Sequence, residues 1–408
     1  MQWGIVADDL TGAADVALPF ALRGATTVVA LMPTKLSAAD VDVIAVDADA
    51  RWRTRSQAAQ RIAQCVRQLP AANALLKVDS TLRGFVGAMV QAAWEATRCR
   101  WVLVCPAVPA QGRIVRDGQL FVRGQPLVKT PFTAEPPAPS ATSSVAERLR
   151  TTGFTASSLR LLPLPILRDA QRLTAALATA VQDSVCVVAD AETDEDLRRL
   201  VRCALTQPVP PLWVGAMGLA QALAETTLDS GVAPRQAAPA QLVRSTQRWL
   251  IVVGSGQPVA RQQWAMLVRN GVMALAHRWD ALPPLPADAE VAAVRLDGLS
   301  DALRHLPVGT VRRKLRGAWR RWFCEPPFDG IVLVGGMTAR AVLEAIGVRH
   351  WRIVGAMEQG VPIGVAQTAS GKTLKIVTKA GGFGDEQTLW RVVTAIARQP
   401  RPARPATG

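Results

Sequence analysis

Short runs of β-branched and aliphatic residues alternate with stretches of helical length along most of this chain, and that alternation leaves few architectures open. Gln2–Ala7 reads as a strand and Leu10–Arg23 as a helix with apolar residues at helical spacing. Thr26–Leu31 and Val43–Val46 read as strands, Arg55–Leu69 as a helix, and Leu75–Val78 and Trp101–Cys105 as strands on either side of a helix at Gly84–Thr97. Strands separated by helices of this length form βαβ units, whose crossovers return the chain to a parallel sheet. A second series follows Gly231–Gln247, whose Pro, Ala and Gln content reads as a linker. In it Trp249–Val253 and Ile331–Val334 are strands entering glycine turns, and Leu374–Thr378 is a late strand. The fold class is therefore α/β, with an N-terminal domain over residues 1–240 and a C-terminal domain over 241–398. Residues 399–408 alternate Pro, Arg and Ala and read as a disordered tail, and Pro126–Ser144 reads as a long surface loop.

Composition removes several function classes. At 49% hydrophobic and 19% charged residues over 408 positions, the chain can bury a sizeable core and is no disordered segment. No run of about 18 uncharged apolar residues offers a membrane span. The start, MQWGIVADDLTG, lacks the basic-then-apolar pattern of a secretory signal. Six cysteines without a CxxC pair and three histidines without HxH or HExxH spacing fit reduced, buried thiols in a cytoplasmic protein and argue against a His- or Cys-based metal centre. The formal charge of +15 rests almost wholly on arginine, since only seven residues are lysine, so a lysine carries more information here than an arginine. A pI near 10.8 and the run Val311–Phe323, with Arg312, Arg313, Lys314, Arg316, Arg320 and Arg321 around Trp319 and Trp322, invite a nucleic-acid reading. However, Val311, Leu315, Trp319 and Trp322 fall at helical spacing, which makes the run an amphipathic helix with one buried stripe and wet arginines.

Three groups of residues can carry chemistry. Asp8 and Asp9 stand where the first strand ends, the edge at which open α/β sheets bind ligands, and Thr11 and Gly12 then open a helix whose amides favour anions. One aspartate there is explained as a helix cap; the second is not explained so easily. At the next such junction, Lys77-Val-Asp-Ser-Thr-Leu-Arg-Gly84, Lys77, Ser80, Thr81 and Arg83 offer donors and Asp79 an acceptor. That mixture suits a small polyhydroxylated anion. Arg51, just past Asp47–Asp49, projects onto the same edge. The third group is Gly254-Ser255-Gly256, Gly335-Gly336-Met337-Thr338 and Lys379–Gly384, strand–glycine turns whose bare amides can approach phosphate. Ala366–Thr373 imitates a P-loop, but Ala366 replaces its first glycine. The residues after Lys372-Thr373 are strand-like rather than helical, so the segment reads as a hairpin turning at Ser370-Gly371.

These segments together resemble the four-carbon acid sugar kinases. The resemblance is carried by IVADDLTGA from Ile5, KVDSTLRG from Lys77, CPAVPAQGR from Cys105, GSGQPVARQQ from Gly254, GGMTARAVL from Gly335 and TKAGGFGDEQTL from Thr378. It implies two α/β domains with an inter-domain active-site cleft, the first binding the sugar acid and the second the nucleotide. It implies a phosphotransferase that moves phosphate from ATP to the terminal C4 hydroxyl of a four-carbon acid, D-threonate or D-erythronate, with a 3-oxo-tetronate as the alternative. Asp8, Arg51, Lys77, Asp79, Ser80, Thr81 and Arg83 would meet the acid, and Ser255, Gly335, Gly336, Met337, Thr338, Gly381 and Gly382 would hold ATP. Mg²⁺ is expected with ATP, without named ligands. Met337 stands where the family usually has an acidic residue, and Ala50 where a serine often precedes the arginine. Because phosphoryl transfer depends on positioning and charge stabilisation, Asp8 or Asp9 is expected to orient or deprotonate the attacking hydroxyl, with Lys77 and Arg83 anchoring the substrate carboxylate or screening phosphate. The partners expected are a sugar acid and ATP, with neither nucleic acid nor membrane, and a homodimer is admitted. Two other readings stand beside this one: a sugar-acid sensor without transfer chemistry, which Met337 would favour, and a basic nucleic-acid binder.

Overall fold

The computed structural model describes residues 2–32, 41–69, 71–134, 141–156, 158–228, 248–281, 289–322 and 327–397. The chain divides into two compact units, Met1–Pro234 and Arg235–Gly408. The boundary expected near residue 240, the linker Gly231–Gln247 and the tail 399–408 all lie outside the described residues.

In the first unit the main strands are β1 (Trp3–Ala7), β2 (Thr27–Ala30), β3 (Val43–Asp47), β4 (Asn73–Lys77) and β5 (Val102–Cys105). After a small antiparallel sheet of β6 (Arg113–Arg116), β7 (Gln119–Val122) and β8 (Gln125–Pro126) come β9 (Leu159–Leu162), β10 (Cys186–Ala189) and β11 (Leu212–Gly215). The main sheet runs β2-β3-β1-β4-β11-β5-β10-β9, every pair parallel. Strands β1, β3, β5, β10 and β11 are buried along their whole length, as helices on both faces of a parallel sheet require. The chain leaves β1 toward β2 on one side and β4 toward β5 on the other, so the neighbours β1 and β4 flank the point where the connections diverge. A crevice opens outside the carboxyl ends of strands at such a point. The register is flush there: Ala7 lies opposite both Asp47 and Lys77, and Gly215 opposite Lys77. The turns that follow β1, β3 and β4 therefore leave the sheet side by side.

The segment expected as one long loop differs from a plain loop. Pro126 closes β8, and Leu127–Lys129 and Pro131–Ala134 wind into 3₁₀ turns before residues 135–140, which lie outside the described residues. Proline, which fixes φ, favours such tight turns as readily as an open loop.

In the second unit, β12 (Trp249–Val253), β13 (Met273–Arg278), β14 (Val291–Asp297), β15 (Gly330–Val334), β16 (His350–Glu358), β17 (Val361–Gln367) and β18 (Thr373–Lys379) lie in the order β13-β14-β12-β15-β18-β17-β16. The first five are parallel; β17 and β16 add an antiparallel edge. The core packs Trp249, Ile251, Val253, Trp264, Val377 and Leu389. Val253 lies opposite Val334, and Val334 opposite Lys379, so three turns again emerge together. The P-loop imitation is the β17–β18 hairpin: Gln367 pairs with Thr373, and Gly371 turns with φ 84°. The basic run is the helix Val308–Trp322, with Val311, Leu315 and Trp319 buried and Arg313, Lys314 and Arg320 exposed. Arg312 and Arg316 lie 4.0 and 3.9 Å from Glu344; the side chains of Arg321 and Trp322 lie outside the described residues.

Two glycines make opposite predictions. In the helix Val86–Thr97, a Cβ on Gly87 would stand 1.8 Å from the Leu149 carbonyl oxygen, whereas one on Gly309 would meet nothing within 4 Å. Gly87→Ala should lower the unfolding free energy by about 3 kcal/mol or abolish folding, because backbone must move. Gly309→Ala should raise it by about 0.5 kcal/mol through helix propensity. Urea denaturation monitored by far-ultraviolet circular dichroism reads both.

Candidate active site

The helix Leu10–Leu22 begins where β1 ends. Asp9 is its cap: with extended backbone, its Oδ1 accepts the Gly12 amide at 2.8 Å and its Oδ2 accepts the Thr11 hydroxyl at 3.2 Å. That satisfies the capping explanation with one aspartate and leaves Asp8, which is fully buried, without a part in it. Asp8 is instead gripped by Arg51, whose Nε and Nη2 donate to its two oxygens at 2.7 and 2.8 Å. The remaining guanidinium nitrogen, Nη1, donates to Asp9 Oδ2 at 2.6 Å, and Nη2 lies 3.7 Å from Asp79 Oδ1. One arginine from the β3 turn thus holds carboxylates from the turns after β1 and β4. Burial alone would disfavour its charge, but Asp8, Asp9 and Asp79 outweigh burial and hold its pKa well above the usual value.

The backbone places Arg51 there. Asp49 adopts φ 52°, and the amides of Ala50 and Arg51 both donate to the Asp8 carbonyl, at 2.9 and 3.0 Å. Residue 50 contributes its backbone, and the Ala50 side chain is fully buried, so this contact does not depend on a serine.

After β4, Asp79 organises the next turn. Its Oδ2 accepts the Thr81 amide at 3.1 Å and the Thr81 hydroxyl, and Arg83 binds it twice, Nε to Oδ2 at 2.9 Å and Nη2 to Oδ1 at 2.8 Å. Burial works against ionisation of Asp79, but Arg83, Arg51 and Thr81 overcome it and hold the carboxyl well below the usual range. Arg83 is therefore committed to Asp79 through two nitrogens rather than directed outward with its whole fork. Lys77 is 5% exposed, and its Nζ lies 3.0 Å from where a Cβ on Gly12 would stand, so the lysine approaches the helix start because residue 12 has no side chain. Among the described residues Lys77 makes no ion pair within 4 Å. Ser80 Oγ accepts Arg113 Nη1, a contact that sequence reasoning did not anticipate. Arg113 follows the Gly112 turn (φ 66°), and one arginine among so many carried no signal.

The second unit builds a different surface. Ser255 sits among glycines that cannot carry a side chain without collision. A Cβ on Gly381 would stand 1.9 Å from Ser255 Oγ, and one on Gly254 would stand 2.0 Å from Thr338 Oγ1. Gly335 turns with φ 105° against the Ser255 backbone and caps the helix Gly336–Ala345, in which Met337 is partly buried and Thr338 fully buried. A Cβ on Gly382 would stand 3.8 Å from Gln257 Oε1. A helix start plus exposed amides forms a cradle for phosphate. Lys379, at the end of β18, was not singled out as a site residue. It is 1% exposed, its Nζ donates to the Ala380 carbonyl at 2.9 Å, and burial lowers its pKa to about 7.

Other features carry less. A cavity of about 310 Å³ lined by Gly4, Leu69, Asn73, Thr97, Cys99 and Leu212 lies at the opposite, amino-terminal ends of β1 and β4 and contains no carboxylate. The Cys105 thiol is pushed up to about 12 by burial, as befits an inert core cysteine. No group of three or more His, Cys, Asp or Glu side chains placed to hold a metal occurs among the described residues, and none of the helices among them is long and apolar enough to cross a membrane.

Residues 3–223 match a sugar-binding N-terminal domain and residues 288–389 a nucleotide-binding C-terminal domain. The chain belongs to the four-carbon acid sugar kinase family. It is 34% identical to a D-threonate kinase of Cupriavidus necator, over 99% of this chain and 100% of that protein. It is 29% identical to a D-threonate kinase of Salmonella typhimurium (95% and 97% covered) and 28% identical to a 3-oxo-tetronate kinase of Pseudomonas fluorescens (97% of each). The fold is shared with a Salmonella typhimurium structure described as a putative tRNA synthase, with TM-score 0.74 and 21% identity over 96% of this chain and 98% of that one. The first match covers Asp8, Arg51 and Lys77–Arg83; the second covers Gly335–Thr338 and Gly381 and begins after Ser255.

The Asp8–Arg51 pair should behave as a buried ion pair. Asp8→Asn leaves Arg51 with a weaker acceptor in a dry site and should cost about 3 kcal/mol of stability at pH 7. Guanidinium denaturation of the variant beside wild type measures it; a loss under about 0.5 kcal/mol would show that Arg51 finds compensation elsewhere.

Proposed function

We propose that this chain is an ATP-dependent kinase that phosphorylates the C4 hydroxyl of D-threonate. The observation that carries the reading is the cationic, hydroxyl-rich turn pair at the divergence of β1 and β4. There, buried Lys77 and Arg51 and partly buried Arg113 stand among carboxylates that can order hydroxyl groups. Lys77 and Arg113 fit the substrate carboxylate, because neither has a bidentate carboxylate partner among the described residues. Asp8 and Asp9 orient the hydroxyl groups across the rigid fork of Arg51, while Ser80 and Thr81 supply short-range donors and acceptors. D-Threonate is placed first, ahead of D-erythronate and the 3-oxo-tetronates, because the relatives named as D-threonate kinases reach 29–34% identity and those named as 3-oxo-tetronate kinases 26–28%.

ATP fits the second unit. Ser255, Gly335, Gly336, Thr338, Gly381 and Gly382 present backbone and hydroxyl donors to its phosphates, Met337 lies beside them, and Lys379 adds a cation whose charge phosphate would stabilise. Mg²⁺ held mainly by the phosphate oxygens needs few protein ligands and would offset charge during transfer.

ADP release should be followed with purified protein, MgATP and D- or L-threonate, D- or L-erythronate and the 3-oxo-tetronates in turn. D-Threonate should give the highest kcat/KM, with phosphate on C4 by ³¹P–¹H correlation. ATP binding without turnover on any acid would favour the sensor reading, and absence of both would overturn the assignment. Gly381→Ala, whose methyl must displace Ser255 Oγ, should weaken ATP binding at least tenfold by calorimetry while leaving threonate binding unchanged.

A further inference from the structure

Arg113 differs from the other arginines at the substrate edge in what it lacks. Arg51 binds Asp8 and Asp9, and Arg83 binds Asp79 twice. Arg113 gives one nitrogen, Nη1, to the Ser80 hydroxyl, a neutral acceptor in the turn after β4. Among the described residues its Nε and Nη2 make no hydrogen bond, and no carboxylate oxygen lies within 4 Å of it. The side chain is partly exposed, so a small ligand can reach it. A guanidinium binds a carboxylate best through two parallel N–H groups, and this one touches the turn with two nitrogens still open.

Two separate segments fix that position. Gly112, with φ 66°, ends the 3₁₀ turn Pro109–Gln111, and Arg113 exchanges both backbone bonds with Val108, at 2.8 and 3.2 Å. The side chain is held from the next segment, where the Phe132 ring centroid lies 5.8 Å from Arg113 Cζ. Phe132 is itself tied down by the turn before it. Leu127 is buried, the Thr130 amide and hydroxyl both donate to its carbonyl at 2.9 and 2.7 Å, and the Val128 amide donates to Ser143 Oγ at 2.9 Å. An aromatic face at such a distance attracts a guanidinium without using its N–H groups. Charge favours the same outcome. Burial lowers the Arg113 pKa, and Arg83 and Arg123 add to that while Asp79 and Asp15 oppose it, so an added anion would stabilise the cation. Lys77 is already in use: burial raises the pKa of Asp8 and of Asp15, and the lysine charge pulls both back.

We propose that Arg113 determines specificity for an acid by taking the substrate carboxylate on its two open nitrogens, and that Phe132 is the positioning residue that holds its guanidinium for that contact. This rests on the kinase reading above and decides between its two cations: Arg113 reads the carboxylate, and Lys77 serves the carboxylates of the β1 edge. A neutral four-carbon polyol is then rejected, because it would cover the guanidinium without answering its charge. Ser80 has a share in the selection, since its hydroxyl occupies Nη1 and leaves the other two nitrogens for the ligand.

The test is calorimetric binding of D-threonate and of its neutral amide, D-threonamide, without ATP, so that it reads the contact independently of transfer. Wild type should bind the acid about 100-fold more tightly than the amide. Arg113→Met should weaken the acid about 100-fold and the amide less than about threefold, which removes the preference. Arg113→Lys keeps the charge but loses the fork and the ring contact, and should weaken the acid about tenfold. Phe132→Leu should reduce the preference about fivefold and leave ATP affinity within about twofold of wild type. A variant that is merely damaged would lose both ligands alike, and such an equal loss refutes the proposal. So does a preference in Arg113→Met within about threefold of wild type, or a wild type that binds acid and amide equally. An unchanged preference in Phe132→Leu overturns the positioning role. Wild type that prefers the acid but transfers no phosphate removes the kinase reading and leaves the Arg113 contact standing.

Discussion

Arg51 is the residue on which the first unit's binding edge depends. Three turns leave the sheet after β1, β3 and β4, and nothing in a parallel ladder ties such turns to each other. The Arg51 guanidinium does so by bonding Asp8 and Asp9 and lying 3.7 Å from Asp79. Arginine is suited to this in a way lysine is not, since its planar fork can meet two carboxylates at fixed angles and remains charged when buried. The charges are expensive to bury: burial raises the Asp8 pKa, and the Arg51 charge and hydrogen bonds work against that rise.

The second unit reaches a similar end by subtraction. What defines the turns after β12, β15 and β18 is the side chains they lack: Gly254, Gly256 and Gly381 admit the hydroxyls of Thr338, Ser300 and Ser255 to positions a Cβ would occupy. A surface of amides and small hydroxyls suits a polyphosphate, which wants many donors at close range. Lys379, which ends β18, is buried, and burial lowers its pKa to about 7. The first unit presents charge organised by salt bridges; the second presents glycine turns with small hydroxyls.

Much of this was legible from sequence because the signals were local. Strand and helix positions followed from periodicity, and ends moved by one or two residues: the Leu10–Arg23 helix closes at Leu22, and the Gly84–Thr97 helix opens at Val86 after Gly84 turns with φ 89°. The Ser370-Gly371 turn was readable because a β-branched run cannot continue a P-loop helix. Less was legible where partners lie far apart. Arg113 joins Ser80 across 33 positions, and in a chain with so many arginines nothing marked it. Arg83 had the look of a free donor until the structure showed two of its nitrogens on Asp79.

The sequence by itself determined that two α/β units form, that turns rich in charged and hydroxyl side chains follow the first and fourth strands, and that glycine turns mark the second unit, because these properties depend on hydrophobic period and on residues adjacent in the chain. Only the tertiary structure decided which donors and acceptors are already spent. Parallel pairing in flush register brings Asp8, Arg51 and Lys77–Arg83 to one edge from segments tens of residues apart. Hydrogen-bond saturation is a property of that assembled edge, since a carboxylate's basicity is set by what touches it in space rather than by its neighbours along the chain.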